Sequence, residues 1–212
     1  MKNGVLLLFV WGMAFGYMEG AVVVYLRGIY YPDGFAFPLK LIAGGILWTE
    51  IGREAATLLI MAVTVMLVYR RFQSRLAAFA VLFGVWDIFY YVFLKLLLGW
   101  PGSLQTWDIL FLIPAPWLGP VWAPLLVSVG FVSAGTAVLV CNARGRYPFF
   151  GKRFVLAETA AGTMIVAAFL LAGSRLAATG MPEAFARPLF CAGLFIGAGA
   201  FVFAFSHARK GA

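Results

Sequence analysis

Ionisable residues are rare inside long apolar runs, yet the first half of this sequence carries eight of them at helical spacing or close by. Glu19 and Arg27 are eight residues apart, which on a helix puts them on nearly one face about 12 Å apart along the axis. Glu50, Arg53, Glu54 and Thr57 follow an i, i+3, i+4, i+7 stripe. Asp87, Tyr90, Tyr91 and Lys95 repeat the pattern at i, i+3, i+4, i+8, and Asp108 follows beside Trp107 in an apolar connection.

A charge at the centre of a bilayer costs at least ~2.5 to 3.5 kcal/mol, so such groups face a bundle interior and pair there. Available pairs are Arg53 with Glu50 or Glu54, Arg27 with Glu19, and Lys95 with Asp87 or Asp108. These eight residues hold three positive charges against five negative. The surplus calls for carboxyls that keep their protons, Asp87 and Glu19 being the candidates, or for a bound cation.

That chemistry suits acid–base catalysis or proton coupling. Asp87, Glu50 and Glu54 are the candidate catalytic groups. Glu19, Arg27, Arg53, Tyr90, Tyr91, Lys95, Trp107 and Asp108 are the candidate ligand-binding groups. A salt-bridge network that merely ties helices together is the competing explanation.

The elements that must position these groups are membrane spans. Of 212 residues, 64% are apolar and 11% charged, and the mean hydropathy is +0.97. A soluble domain has about 25% charged residues, so water is not the solvent for this chain. Apolar runs at about 4–26, 46–69, 76–98, 121–141, 154–173 and 187–206 are each long enough to cross ~30 Å of hydrocarbon. The expected fold is therefore all-α: a single polytopic membrane domain of six transmembrane helices. The start of the chain reads as the first span rather than a cleaved leader, because the apolar run continues past Glu19.

Charge sets the expected orientation. Lys2, Arg70, Arg71, Arg75, Arg144, Arg146, Lys152, Arg153, Arg209 and Lys210 all fall on one side of the six spans, ten of the sixteen basic residues. By the positive-inside rule that side is cytoplasmic, with both termini, in a membrane expected to be the bacterial inner membrane. Tyr25, Tyr30, Tyr31, Trp48, Trp100, Trp107, Trp117 and Trp122 gather on the other side as an aromatic belt.

Two longer connections lie on that outer side, Gly28 to Ile46 and Gly99 to Pro120. The second is too apolar for a solvated loop and too short to span twice, so it is expected to lie in the interface or re-enter. Thr106 would cap a helical turn carrying Asp108, and the segment would either roof a cavity or serve as a hydrophobic interfacial connector with no catalytic part. Gly12, Gly16 and Gly20 on helix 1, and Gly193 and Gly197 on helix 6, form small-xxx-small ladders for close helix approach.

The motif inventory excludes much chemistry. His207 is the one histidine, at the cytoplasmic end of helix 6, which rules out haem ligation, an H-E-x-x-H zinc site and a Ser-His-Asp triad within one chain. Phosphate-binding and dinucleotide loops are missing. Basic residues occur in short clusters between spans rather than along a polar face, so no nucleic acid is expected. No cofactor and no metal are expected; a metal would be a hard cation on Glu19, Glu50, Glu54 or Asp87.

Three functions remain. The first is a pocket on the outer side of helices 1–3 that binds, and in an enzymatic form processes, a small polar or amphiphilic lipid-like ligand. The second is a proton- or ion-coupled carrier, and the third a non-catalytic subunit using its glycine ladders in a helix–helix oligomer. Membrane lipid is a partner in every case.

Overall fold

A computed structural model describes residues 2–39, 44–148, 150–207 and 209–210. Six helices are long and apolar enough to cross a membrane: α1 (Lys2–Tyr30), α2 (Gly44–Val68), α3 (Phe72–Leu98), α4 (Trp122–Ala143), α5 (Lys152–Gly173) and, after the single turn α6 (Leu176–Thr179), α7 (Arg187–Ser206). Their apolar windows have mean hydropathies of 1.7 to 2.1. Outward-facing Leu6, Leu59, Leu67, Leu156, Phe195 and Phe203 are exposed. Water-soluble monomers rarely expose so many large apolar side chains together, and the six apolar helices are those of a candidate multi-pass membrane protein.

Helix ends explain two departures from the sequence pattern. α1 continues to Tyr30, so Arg27 is helical and the outer connection after it is shorter than expected. α2 begins by Gly44, which puts Glu50, Arg53 and Glu54 in its second and third turns; Lys40 and Leu41 lie outside the described residues.

α3 is the central helix, and glycines let it meet both neighbours closely. A Cβ on Gly12 would sit 2.8 Å from Val85 Cγ1, and one on Gly16 2.8 Å from the Trp86 carbonyl, so the α1 ladder is used against α3. On the other side Gly84 of α3 faces the Ser128 carbonyl and Gly135 of α4 faces the Ala77 carbonyl, each at 2.5 Å from a would-be Cβ. Leu8, Val65, Ala78, Val81, Leu82, Val85, Val138 and Leu139 fill the space these contacts define. The ladder on α7 is also spent within the chain, Gly193 approaching the Ala161 carbonyl of α5.

Between α3 and α4 the chain is not helical. Trp107–Phe111 (β1) pairs antiparallel with Trp117–Pro120 (β2), with a register irregularity between Ile109 and Phe111. The expected helical turn at Asp108 is therefore replaced by a hairpin. Trp107, Ile109 and Phe111 are strand formers, and Pro114 and Pro116 keep the turn from continuing as helix. Thr106 caps no helix; its hydroxyl accepts the Ser103 N–H at 3.1 Å.

The hairpin is wedged into the bundle, with Asp108 and Leu118 to Val121 buried. Its second strand lies on α5, where a Cβ on Gly119 would meet the Phe169 ring at 2.7 Å and one on Gly173 would meet the Pro116 carbonyl at 2.1 Å. Phe169, Phe185, Phe190 and Trp122 close an aromatic cluster around it. At the basic end, Arg146–Tyr147 (β3) pairs with Arg209–Lys210 (β4) in a short ribbon.

Gly84→Val and Gly135→Val each drive a branched side chain into a neighbouring backbone carbonyl, so each is expected to destabilise by roughly 1–3 kcal/mol or more. Gly130→Val, on the same helix as Gly135 with open space around it, is expected to stay within about 0.5 kcal/mol. Thermal melts of the detergent-purified variants test the contrast.

Candidate functional site

Helix periodicity turns the three polar stripes of α1, α2 and α3 toward one another at the end of the bundle that holds the hairpin, and the hairpin closes over them. Arg53 is the hub: its Nε donates to Glu50 Oε2 at 2.8 Å and its Nη1 donates to both oxygens of Glu19 on α1. Glu54, one turn on from Glu50, pairs with no arginine. Its carboxylate accepts the backbone N–H of Leu112 at 2.9 and 3.2 Å, just beyond the end of β1.

Asp87 turns the opposite way from the expected Lys95 and accepts the Ser128 hydroxyl of α4 at 2.7 Å. Nothing in the sequence marks Ser128 or the Leu112 N–H as part of this site. One is a lone serine in an apolar helix and the other a backbone group whose orientation depends on the hairpin.

A second centre forms around Asp108. Arg27 Nη2 donates to its Oδ1 at 3.3 Å, while the Tyr91 and Tyr90 hydroxyls donate to Oδ2 at 3.2 and 3.5 Å. The Arg27 guanidinium lies over Trp100 at 3.7 Å and Phe35 at 4.4 Å, so its faces are covered by aromatic rings. Arg27 thus pairs with the hairpin, not with Glu19. Lys95 pairs with neither Asp87 nor Asp108; its Nζ donates to the carbonyls of Gly99 and Pro101 at 3.0 and 2.9 Å and closes the end of α3. Gly99, at φ 66°, stops that helix with its N–H on the Lys95 carbonyl.

Between the Arg53 hub and the hairpin is a cavity of about 60 Å³. Glu19, Arg53, Glu54, Thr57, Asp87, Tyr90 and Tyr91 line it, together with Trp86 and Phe111. Glu50, Arg27, Lys95, Trp107 and Asp108 do not. Trp107 packs its ring edge-on against Phe185 at 6.4 Å, and the tyrosines separate the cavity from the Asp108 centre. A water-sized group needs roughly 10–15 Å³ on this measure, so the cavity has room for a few such groups but not for an amphiphile with its chains.

Its lining is asymmetric in what it offers. Arg53 is engaged by two carboxylates, whereas Asp87 Oδ1 accepts no hydrogen bond from the described residues and the buried Trp86 Nε1 has no acceptor among them. Three carboxyls of the lining (Glu19, Glu54 and Asp87) stand against the one guanidinium of Arg53, which Glu50 also engages from outside the cavity. Among the described residues no group of three or more His, Cys, Asp or Glu comes together closely enough to hold a metal ion, so these carboxyls do not form the hard-cation set considered from the sequence.

Outside the six helices, burial lifts the Asp108 carboxyl from its ordinary range to about 6, against the lowering pull of Arg27, the Ile109 N–H and the two tyrosine hydroxyls. A raised carboxyl pKa favours folding most at low pH, and the contribution is lost as pH rises from about 4 through 6. Wild type is therefore expected to lose stability relative to Asp108→Asn over that window, by on the order of 3 kcal/mol. Parallel stability–pH curves for the two proteins would contradict this.

Arg53→Gln strands Glu19 and Glu50 in a half-buried setting, an expected loss of about 3–5 kcal/mol. Adding Glu19→Gln and Glu50→Gln restores most of it, which chemical unfolding of the single and triple variants measures. Comparison with family models, with curated proteins and with solved structures returns no match, so the chemistry of this site is read from its own residues.

Proposed function

We propose that this chain is a polytopic protein of the bacterial inner membrane, with both termini cytoplasmic and the hairpin re-entering from the outer side. In this reading the cavity binds a small cationic, hydrogen-bond-donating group. One observation carries the reading: the arginine of the cavity is already tied to Glu19 and Glu50, while Glu54 and Asp87 keep acceptor capacity toward the cavity.

An anionic headgroup would compete for Arg53 with Glu19 and Glu50, which already hold it, so this reading differs from ligand capture by Arg53 and Arg27. An ammonium group of a few heavy atoms fits the size and offsets the negative surplus, either as a free amine or as the polar end of an amphiphile. Trp86 Nε1 offers a donor to any acceptor atom the ligand also carries. Chemistry in the cavity would use Asp87 and Glu54 as proton acceptor and donor, since Glu50 lies outside it.

A carrier is the second reading, favoured by the attachment of α2. Its hydrogen bonds to α1 and the hairpin run through Arg53 to Glu19 and Glu54 to Leu112, and its outward residues Leu59, Ile60, Val63 and Leu67 are exposed. If those two contacts break, α2 keeps only its apolar seat, including the buried Met61 and Val65, about which it could swing.

Short primary alkylamines are expected to raise the melting temperature of the protein in neutral detergent, and alkyl carboxylates of equal length are not. Asp87→Asn and Glu54→Gln each remove the response while the unliganded protein still melts cooperatively. An equal response to both probes, or an undiminished one in the variants, would sink the cationic reading. The same amine presented to proteoliposomes separates the two readings: accumulation that follows a pH gradient indicates a carrier, and simple saturable binding indicates a receptor-like site.

A further inference from the structure

At the opposite end of the molecule a second cavity has a different chemistry. It is a groove of about 650 Å³ between α1, α4 and α7, with Phe9, Val132, Val140 and Phe205 among its walls and Arg144 and Arg146 at its mouth. No acidic residue lines it among the described residues. Both arginines are exposed and neither forms an ion pair with a described residue. The groove follows α4 from Val132 to Arg144, about 18 Å of helix, close to the depth of one leaflet of a ~30 Å hydrocarbon core.

Shape and charge together select the occupant. A wholly apolar filling, such as a helix from another protein, would leave the paired arginines unused. A soluble anion would leave the apolar walls uncovered. A molecule with a long hydrocarbon chain and a negative head satisfies both ends, and basic clusters beside spanning helices recognise such heads. The mouth also joins the ribbon of β3 and β4, in which three of the four residues are basic.

We infer that this groove binds an anionic phospholipid of the cytoplasmic leaflet, one acyl chain lying along α4 between α1 and α7 and the phosphate held by Arg144 and Arg146. The site rests on the proposed multi-pass reading with both termini cytoplasmic and is independent of the ligand in the cavity beneath the hairpin.

Native mass spectrometry in neutral detergent tests it, with phosphatidylglycerol and phosphatidylcholine of matched chains supplied in equal amounts. Wild type is expected to retain phosphatidylglycerol over phosphatidylcholine by roughly tenfold or more, as two basic contacts imply. Arg144→Gln with Arg146→Gln brings the two lipids to parity without changing the melting temperature, because both side chains are exposed and unpaired. Ala137→Phe, which fills the groove, lowers retention of both lipids. Asp87→Asn leaves lipid selectivity as in wild type, so a failure of the outer site does not count here. Equal retention by wild type, undiminished selectivity in the double arginine variant, or a stable lipid-free dimer that buries this face would each overturn the assignment.

Discussion

A non-helical backbone packed among helices must satisfy its own peptide groups, and that obligation organises the half of this protein that holds the hairpin. Residues 107–120 are surrounded by α3, α4 and α5, where water is scarce and an unmet N–H or C=O costs several kcal/mol. Pairing β1 with β2 meets most of the demand. The pairing lapses just past the irregular register at Ile109 to Phe111, and there Leu112 N–H turns to the Glu54 carboxylate. A carboxylate that reads as part of an ion-pair stripe thus serves a backbone group. Arg53 is left to Glu19 and Glu50, so the arrangement of the hub follows from the hairpin.

The same wedge explains why the glycines fall where they do. Gly119 and Gly173 admit the hairpin against α5, while Gly12, Gly16, Gly84 and Gly135 draw α1 and α4 onto α3. Close backbone approach lets short side chains reach across: the Ser128 hydroxyl meets Asp87 because Gly84, one turn earlier, has no Cβ to hold α4 away. Packing and polar chemistry are therefore coupled through helix separation. A helix–helix oligomer built on the α1 and α7 ladders loses its main support, since both ladders are occupied within the chain.

The parts of the structure legible from the sequence are those governed by period and length. Long apolar runs mark the six helices to within a few residues, and 3.6-residue periodicity places Glu19, Arg53, Glu54, Asp87, Tyr90 and Tyr91 around one cavity. Partner choice is a different matter, because a helical stripe states which face a residue occupies and not which neighbour that face meets. Helical spacing matches Arg27 to Glu19 on its own helix, yet its partner is Asp108, eighty-one residues on. The hairpin is not legible as strands, since six apolar residues around Asp108 carry no decisive period and strand pairing depends on residues beyond Pro114. Lys95 looked like a counter-ion and is a helix-end clasp.

The two ends of the molecule separate two kinds of positive charge. Near the hairpin each arginine has a carboxylate partner: Arg53 has Glu19 and Glu50, and Arg27 has Asp108 with Trp100 and Phe35 over its faces, although Arg27 Nη1 itself meets no acceptor among the described residues. At the other end Arg70, Arg144 and Arg146 make no ion pair with a described residue, and Arg71 rests on the Tyr147 ring at 4.1 Å. A cation already matched inside the protein leaves acceptors as the groups on offer to a ligand, whereas an unmatched cation at the surface seeks an anion outside it. Under the proposals made above, positive charge would then disfavour anions at the buried end and attract them at the exposed end. Burial makes the difference: in a low-dielectric interior every arginine needs its counter-charge built in, and at the interface the membrane itself supplies it.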